Sequence, residues 1–309
     1  MAELTEIEWA DRTQNDWVGC QHAGPGCDNC FAEAFNKRFG GGVAPNWGPG
    51  APRKRTALGN RKRPFRWNRL HQQFFAEHGR RQRIFASSLS DVFDNQVPFE
   101  WFADLFRTIE LTPNLDWLVL TKRIGNVQEA YRKLDLMLHG TPRTDTRSNV
   151  WLGITVVDQA EATRDIPKLL KIPARVRFLS VEPMLGPIVI PVHILRQLDW
   201  VIVGGESGRG LNIRAVNPEW VRSLKDQCAA AGVPFLFKQW GQYCFPEQMP
   251  VSVRDELQKK LGRAYERAIG RPYRIGKEKA GRQLDGMTYD EFPLISRPKN
   301  EMKAEEVAA

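Results

Sequence analysis

One pattern limits what this chain can fold into. From residue 83 onward, short apolar runs alternate with stretches of helical period. "RIFASSLSD" (83–91) precedes "PFEWFADLFRTIEL", "DWLVLTKR" (116–123) precedes "NVQEAYRKLDLML", and "NVWLGITV" (149–156) precedes "QAEATRDIPKLL". "RVRFLSVEP" (175–183) follows, then "DWVIVGGES" (199–207) before "NPEWVRSLKDQCAAAG", and last "VPFLFKQWG" (233–241). Near-continuous apolar strands joined by helical crossovers belong to a parallel sheet covered on both faces. The expectation is an α/β fold, a partial or complete (β/α) barrel, with six strands and room for a seventh near the N-terminus. Pro218 and Gly232 are start and stop signals for one crossover helix.

Each run ends in polar residues: Ser88, Ser90 and Asp91; Lys122 and Arg123; Thr155; Ser180 and Glu182; Glu206 and Ser207; Lys238 and Gln239. In parallel α/β folds the C-terminal strand ends carry the site. Strands also end in polar turn residues for no functional reason, so charge and hydroxyls at every end are the stronger signal.

The segment "GCQHAGPGCDNCFAEAF" (19–35) gathers Cys20, Cys27 and Cys30, three of only five cysteines, with six and then two residues between them. The odd cysteine count and the lack of an export-like N-terminus point to the reducing cytoplasm, where clustered cysteines act as ligands or redox groups. Three readings stay open at this point: buried unligated thiols, a structural zinc, and an iron–sulfur cluster with one iron left open. A zinc site wants a fourth ligand. His22 is near but cramped, and Cys228 and Cys244 would reach the site only through the fold.

Residues 40–70 interrupt the alternation. Between 53 and 70 lie eight Lys or Arg, interleaved with Phe65 and Trp67. Arg53, Lys54, Arg55, Arg61, Lys62, Arg63, Arg66 and Trp67 are candidate nucleic-acid contacts, since cations neutralise phosphates and aromatics stack on bases. The alternative is a solvated basic loop. A net charge of +9 supports a polyanionic partner, with DNA favoured. No apolar run approaches the roughly 18 residues of a membrane span. The chain reads as a barrel over 1–245 with cysteine loop 19–30 and basic insertion 40–70. An extension over 246–309 follows, its last dozen residues reading as disordered.

An open iron at the mouth of a (β/α) barrel resembles the arrangement in radical S-adenosylmethionine enzymes, although their usual cysteine spacing is three then two. "TEIEWADRTQNDWVGCQHAGPGCDNCFAEAF", "LTKR", "VWLGITV", "FLSVEPMLGPI", "DWVIVGGESG", "FLFKQWG" and "GRQLDGMTYDEFP" together resemble a phage-associated three-Cys-motif family of uncharacterised function, over roughly residues 4 to 293. The set is also distantly similar to the spore photoproduct lyase group. The resemblance implies a radical-SAM-like barrel holding a [4Fe-4S] cluster on Cys20, Cys27 and Cys30, with S-adenosylmethionine beside it and a reductant protein to supply electrons. On that pattern Lys122, Glu182 and Lys238 are candidate catalytic residues. Ser88, Asp91, Arg123, Gly204, Gly205 and Glu206 are candidate cofactor contacts. For Lys122, Arg123, Glu182 and Glu206 the competing role is a salt bridge bracing the barrel. The expected function is an enzyme that modifies or repairs a nucleic acid; the rival is a non-catalytic nucleic-acid-binding protein with a structural zinc or cluster.

Overall fold

In the computed structural model, which describes residues 5–143, 147–208, 210, 212–266 and 270–294, the apolar runs form one parallel sheet. Its strands are β1 (Arg12–Gln14), β2 (Gln82–Ala86), β3 (Leu115–Thr121), β4 (Val150–Thr155), β5 (Val176–Val181), β6 (Trp200–Gly204) and β7 (Phe235–Gln239). They pair in chain order and curl into a half-barrel. The seventh strand is β1. Its three residues, Arg-Thr-Gln, carry no apolar period, and it forms because Arg12–Gln14 dock in register on Ile84–Ala86.

Helix α1 (Phe31–Phe39) follows the cysteine loop, and the sheet is flanked by α2 (Phe99–Glu110), α3 (Ile124–His139), α4 (Gln159–Leu170) and α5 (Pro218–Ala231). Helix α5 carries Pro218 in its first turn and ends at Gly232 with φ +70°, a left-handed cap that glycine adopts without steric cost. Asp158 caps α4 by accepting from the Glu161 amide. The Glu161 carboxylate in turn accepts from the Val157 amide, which fixes the turn leaving β4.

Strand alternation sorts the core into two parts. Trp117, Val119, Leu152, Ile154, Leu179, Val181, Val201, Val203, Phe235 and Phe237 face the helices. Leu118, Trp151, Val176, Phe178, Trp200, Ile202 and Leu236 fill the concave side with Trp9. Gly153 is required there, because a Cβ would lie 2.2 Å from the Phe178 ring. Continuing the same parity past the apolar floor brings Ser87, Lys122, Thr155, Ser180, Glu182 and Lys238 to the concave side of the rim.

The C-terminal segment guards an edge. The Phe237 amide donates to the Tyr289 carbonyl and the Glu291 amide to that of Phe235, covering the outer side of β7, while the Phe292 ring packs tilted against Trp200 at 4.9 Å. The last dozen residues lie outside the described part. Among the described residues no helix is long and apolar enough to cross a membrane.

The basic insertion departs from a solvated loop. Lys54–Arg55 pairs with Trp17–Val18, and short helices span Leu58–Arg61, Arg63–Arg69 and His71–His78. Trp67 is buried in the outer core under the Arg12 guanidinium. Arg53 pairs with Asp94 at 2.8 Å, with side chains only 1% and 0% exposed. Arg55 pairs with Asp104 and lies over Trp101, and Arg61 donates to the Thr56 carbonyl. Lys54, Lys62 and Arg66 remain at the surface, with Arg63 half-buried. Arg53 and Trp67 therefore offer no face to a nucleic acid, a correction that follows from their burial.

Candidate functional site

The cysteine loop sits on the C-terminal rim, and its glycines are there for closeness. A Cβ at Gly24 would lie 2.6 Å from the Glu161 carboxylate, and one at Gly26 would lie 2.7 Å from Val157. A single turn of 3-10 helix, Pro25–Cys27, then reverses the chain into α1. Cys20, Cys27 and Cys30 thereby line one cavity of about 150 Å³ with Ser87, Ser88, Asp91, Lys122, Arg123 and Thr155.

Asp91 organises this cavity. One carboxylate oxygen accepts from the Thr121 hydroxyl at 2.8 Å and the Phe93 amide at 2.9 Å. The other accepts from the Lys122 amide and the Arg123 guanidinium, both at 3.0 Å. Arg123 also donates to the Gln21 carbonyl at 2.7 Å and lies 3.6 Å from Cys20 Sγ. The Lys122 ammonium donates to the Thr155 hydroxyl at 3.3 Å. Ser88 accepts from the Asn15 amide. Ser87, its neighbour, is buried with φ +66°, and its hydroxyl has no hydrogen-bond partner among the described residues. A left-handed serine with an unsatisfied buried hydroxyl is a strained arrangement of the kind found where ligands bind.

Burial, with the Asp91 charge adding to it, pushes the Cys20 thiol up to about 12, and burial raises Cys30 as well. A nucleophilic cysteine needs the opposite shift. A bound metal deprotonates such thiols outright. Cys20 and Cys30 thus do not fit as free nucleophiles. Among the described residues no three His, Cys, Asp or Glu side chains converge on one ion. Thiolates are donors that both a zinc ion and an iron–sulfur cluster take, and Cys20, Cys27 and Cys30 are the sulfur donors lining this cavity. Cys228 and Cys244 pack in the outer core, and His22 pairs with Glu33 at 2.6 Å in a neighbouring groove. None of these three lines the cysteine cavity.

The remaining predicted residues stand across the rim. Lys238 donates to Glu182 at 2.8 Å. Burial would lower the Lys238 pKa, but the Glu182 carboxylate outweighs it and holds it above the ordinary lysine value. The second Glu182 oxygen is buried without a partner among the described residues. Gly204 lets the Glu182 side chain pass, since a Cβ would lie 3.3 Å from it, and Gly205 lets the Trp240 carbonyl approach to 1.9 Å from where a Cβ would stand. Glu206 is held by Arg214 through its amide at 2.8 Å and its guanidinium at 2.5 Å. Although burial would raise the Glu206 pKa, those bonds hold it below the usual range.

Sequence reasoning missed Arg214 and Ser87. Strand parity pointed to Ser87, two residues after the inward Phe85. Nothing in the sequence marked Arg214, whose contacts to Asp28 and Pro25 span 186 and 189 residues.

Fold and cavity together define an α/β half-barrel with a cysteine-lined pocket at the C-terminal rim. The chain belongs to the family described as "Protein of unknown function (DUF5131)", whose model matches residues 4–293, in agreement with the expected membership of an uncharacterised family. No curated protein matches the chain. Among solved structures, a spore photoproduct lyase complexed with dinucleoside spore photoproduct is similar at 10% identity and a TM-score of 0.35, over 81% of this chain and 71% of that one. That likeness is too slight to carry an argument.

Proposed function

We propose that this protein is an iron–sulfur enzyme of the radical S-adenosylmethionine type that modifies or repairs a nucleic acid. The observation behind it is the convergence of Cys20, Cys27 and Cys30 with the unsatisfied Ser87 hydroxyl and the Lys122 ammonium in one rim cavity. The three cysteines would hold a [4Fe-4S] cluster. When bound, that cluster supplies one electron to the sulfonium of S-adenosylmethionine, and a reductant protein replaces it. Lys122, which lines the cavity and donates to the neutral Thr155 hydroxyl, is the cation that would meet a carboxylate. Arg123 is already shared between Asp91 and Gln21 and serves to brace the loop. Asp91 and Ser88 shape the cofactor side. Gly204 and Gly205 let Glu182 and the Trp240 carbonyl pack closely at the opposite rim, and Glu206 anchors the loop through Arg214. Glu182 and Lys238 face the substrate side, with one carboxylate oxygen unsatisfied. The exposed Lys54, Lys62 and Arg66 add to the positive surface.

Anaerobic reconstitution with iron and sulfide tests the cofactor. A brown protein with broad visible absorption, lost in Cys27→Ala, is expected. A colourless protein retaining one zinc after the same treatment would support the non-catalytic alternative.

A further inference from the structure

Helix α1 leaves the cysteine loop bearing an aromatic face that nothing else among the described residues covers. Phe31 and Phe39 are 68% and 69% exposed, and Phe35 is half-buried between them. Their i, i+4 spacing sets the rings in one row. Ring centroids are 6.2 Å apart from Phe31 to Phe35 and 4.6 Å apart from Phe35 to Phe39. Isolated apolar side chains at a surface are ordinary, but a contiguous row marks an interaction site.

Phe31 and Phe35 of this row line a groove of about 770 Å³, with Phe39 continuing the row beyond it, and Cys30 lines both the groove and the cysteine cavity. Of the groove's acidic residues, Asp28 is paired with Arg214 and Glu33 with His22. Lys37 and Arg38 are exposed, and the Arg38 guanidinium lies 5.7 Å from the Phe39 ring. Aromatic rings in series with cations beside them match a chain of stacked bases carrying phosphates. A second copy pairing this face with itself would cover the rings but would bring the same positive charge against Lys37 and Arg38.

We propose that this face binds an unpaired polynucleotide strand, its bases stacking on Phe31, Phe35 and Phe39 and its phosphates meeting Lys37 and Arg38. The groove then leads one nucleotide toward the cavity at Cys30. This places the substrate contact on α1 and rests, for its chemical class, on the nucleic-acid reading above.

The test is fluorescence anisotropy of labelled oligothymidylate, oligouridylate and a blunt duplex, each of about 16 nucleotides, with the reconstituted full-length protein. Phe31→Ala/Phe39→Ala should weaken single-strand binding by about 5- to 100-fold, with S-adenosylmethionine cleavage and the melting temperature retained. Lys37→Glu/Arg38→Glu should flatten the salt dependence of binding. Tighter binding of thymidylate assigns DNA, and of uridylate RNA. Three results would overturn the proposal: unchanged binding in the double phenylalanine variant, duplex bound as tightly as single strands, or a dimer that dissociates on Phe39→Ala while strand binding stays the same. A wild type that binds strands without cleaving S-adenosylmethionine would uphold this site and count against the radical reading alone.

Discussion

The guanidinium of Arg214 joins Glu206, at the end of β6, to the cysteine loop. It meets the Glu206 carboxylate at 2.5 Å and on its other side reaches the Pro25 carbonyl and Asp28, both at 2.9 Å. Asp28 lies between Cys27 and Cys30, so one side chain fixes the loop to the sheet from one end as Arg123 does from the other. A planar fork carries such a multiple contact, and an ammonium cannot. Arg214→Ala should weaken the hold on iron by about 10-fold, as loss of a ligand-orienting contact does. Arg214→Lys should recover part of it. Iron retained per chain during chelator titration checks this, and equal retention in all three proteins would contradict it.

Gly205 stands where the Trp240 carbonyl leaves no room. The obstacle at 1.9 Å is main chain, which cannot rotate aside. Gly205→Ala should cost ~3 kcal/mol, at the upper end for overpacking, measured by urea unfolding. A variant as stable as the parent would show that β6 and β7 shift apart freely.

Asp11 ties the N-terminal segment to β2, accepting from both Arg80 nitrogens at 2.7 and 2.8 Å and from the Arg83 amide at 2.7 Å. Burial would raise its pKa, but these bonds and the two arginine charges outweigh it and hold it below 3.8. A depressed carboxylate stabilises the fold fully above its unfolded pKa and progressively less as pH falls through the folded value. Asp11→Asn should therefore cost ~2 kcal/mol at neutral pH. The gap from the parent should close only as the pH drops below 3.8. Chemical unfolding of both proteins across pH checks the window; a constant gap would contradict it.

Arg53, inside a segment that reads as a basic surface run, forms a buried pair with Asp94. Removing one partner leaves the other charge stranded, so Arg53→Ala should destabilise by ~3–5 kcal/mol. Lys62→Ala, at an exposed position, should cost ~0.5 kcal/mol or less. Thermal unfolding separates them, and similar melting temperatures would contradict the assignment of Arg53 to the interior.

The strands were legible because both faces are covered, which leaves long apolar runs such as Leu115–Thr121. The three cysteines were legible through their spacing, and Asp91, Lys122 and Arg123 through their position just after such runs. What stayed hidden depends on contacts between distant residues. Trp67 sits in a stretch whose cations disguise a core position. Arg53 meets Asp94 41 residues away, and Arg214 meets Asp28 186 residues away. Ser87 and Ser88 both reach the cavity, but Ser88 accepts from Asn15 whereas Ser87 is left-handed and unsatisfied among the described residues.

The central claim is that this cavity binds and cleaves S-adenosylmethionine. The direct measurement is chromatography of 5′-deoxyadenosine after anaerobic reconstitution, reduction and addition of S-adenosylmethionine. Product from the parent and none from Cys27→Ala is the predicted result. A fully loaded, reduced protein that yields no 5′-deoxyadenosine, with or without an added strand, would contradict it.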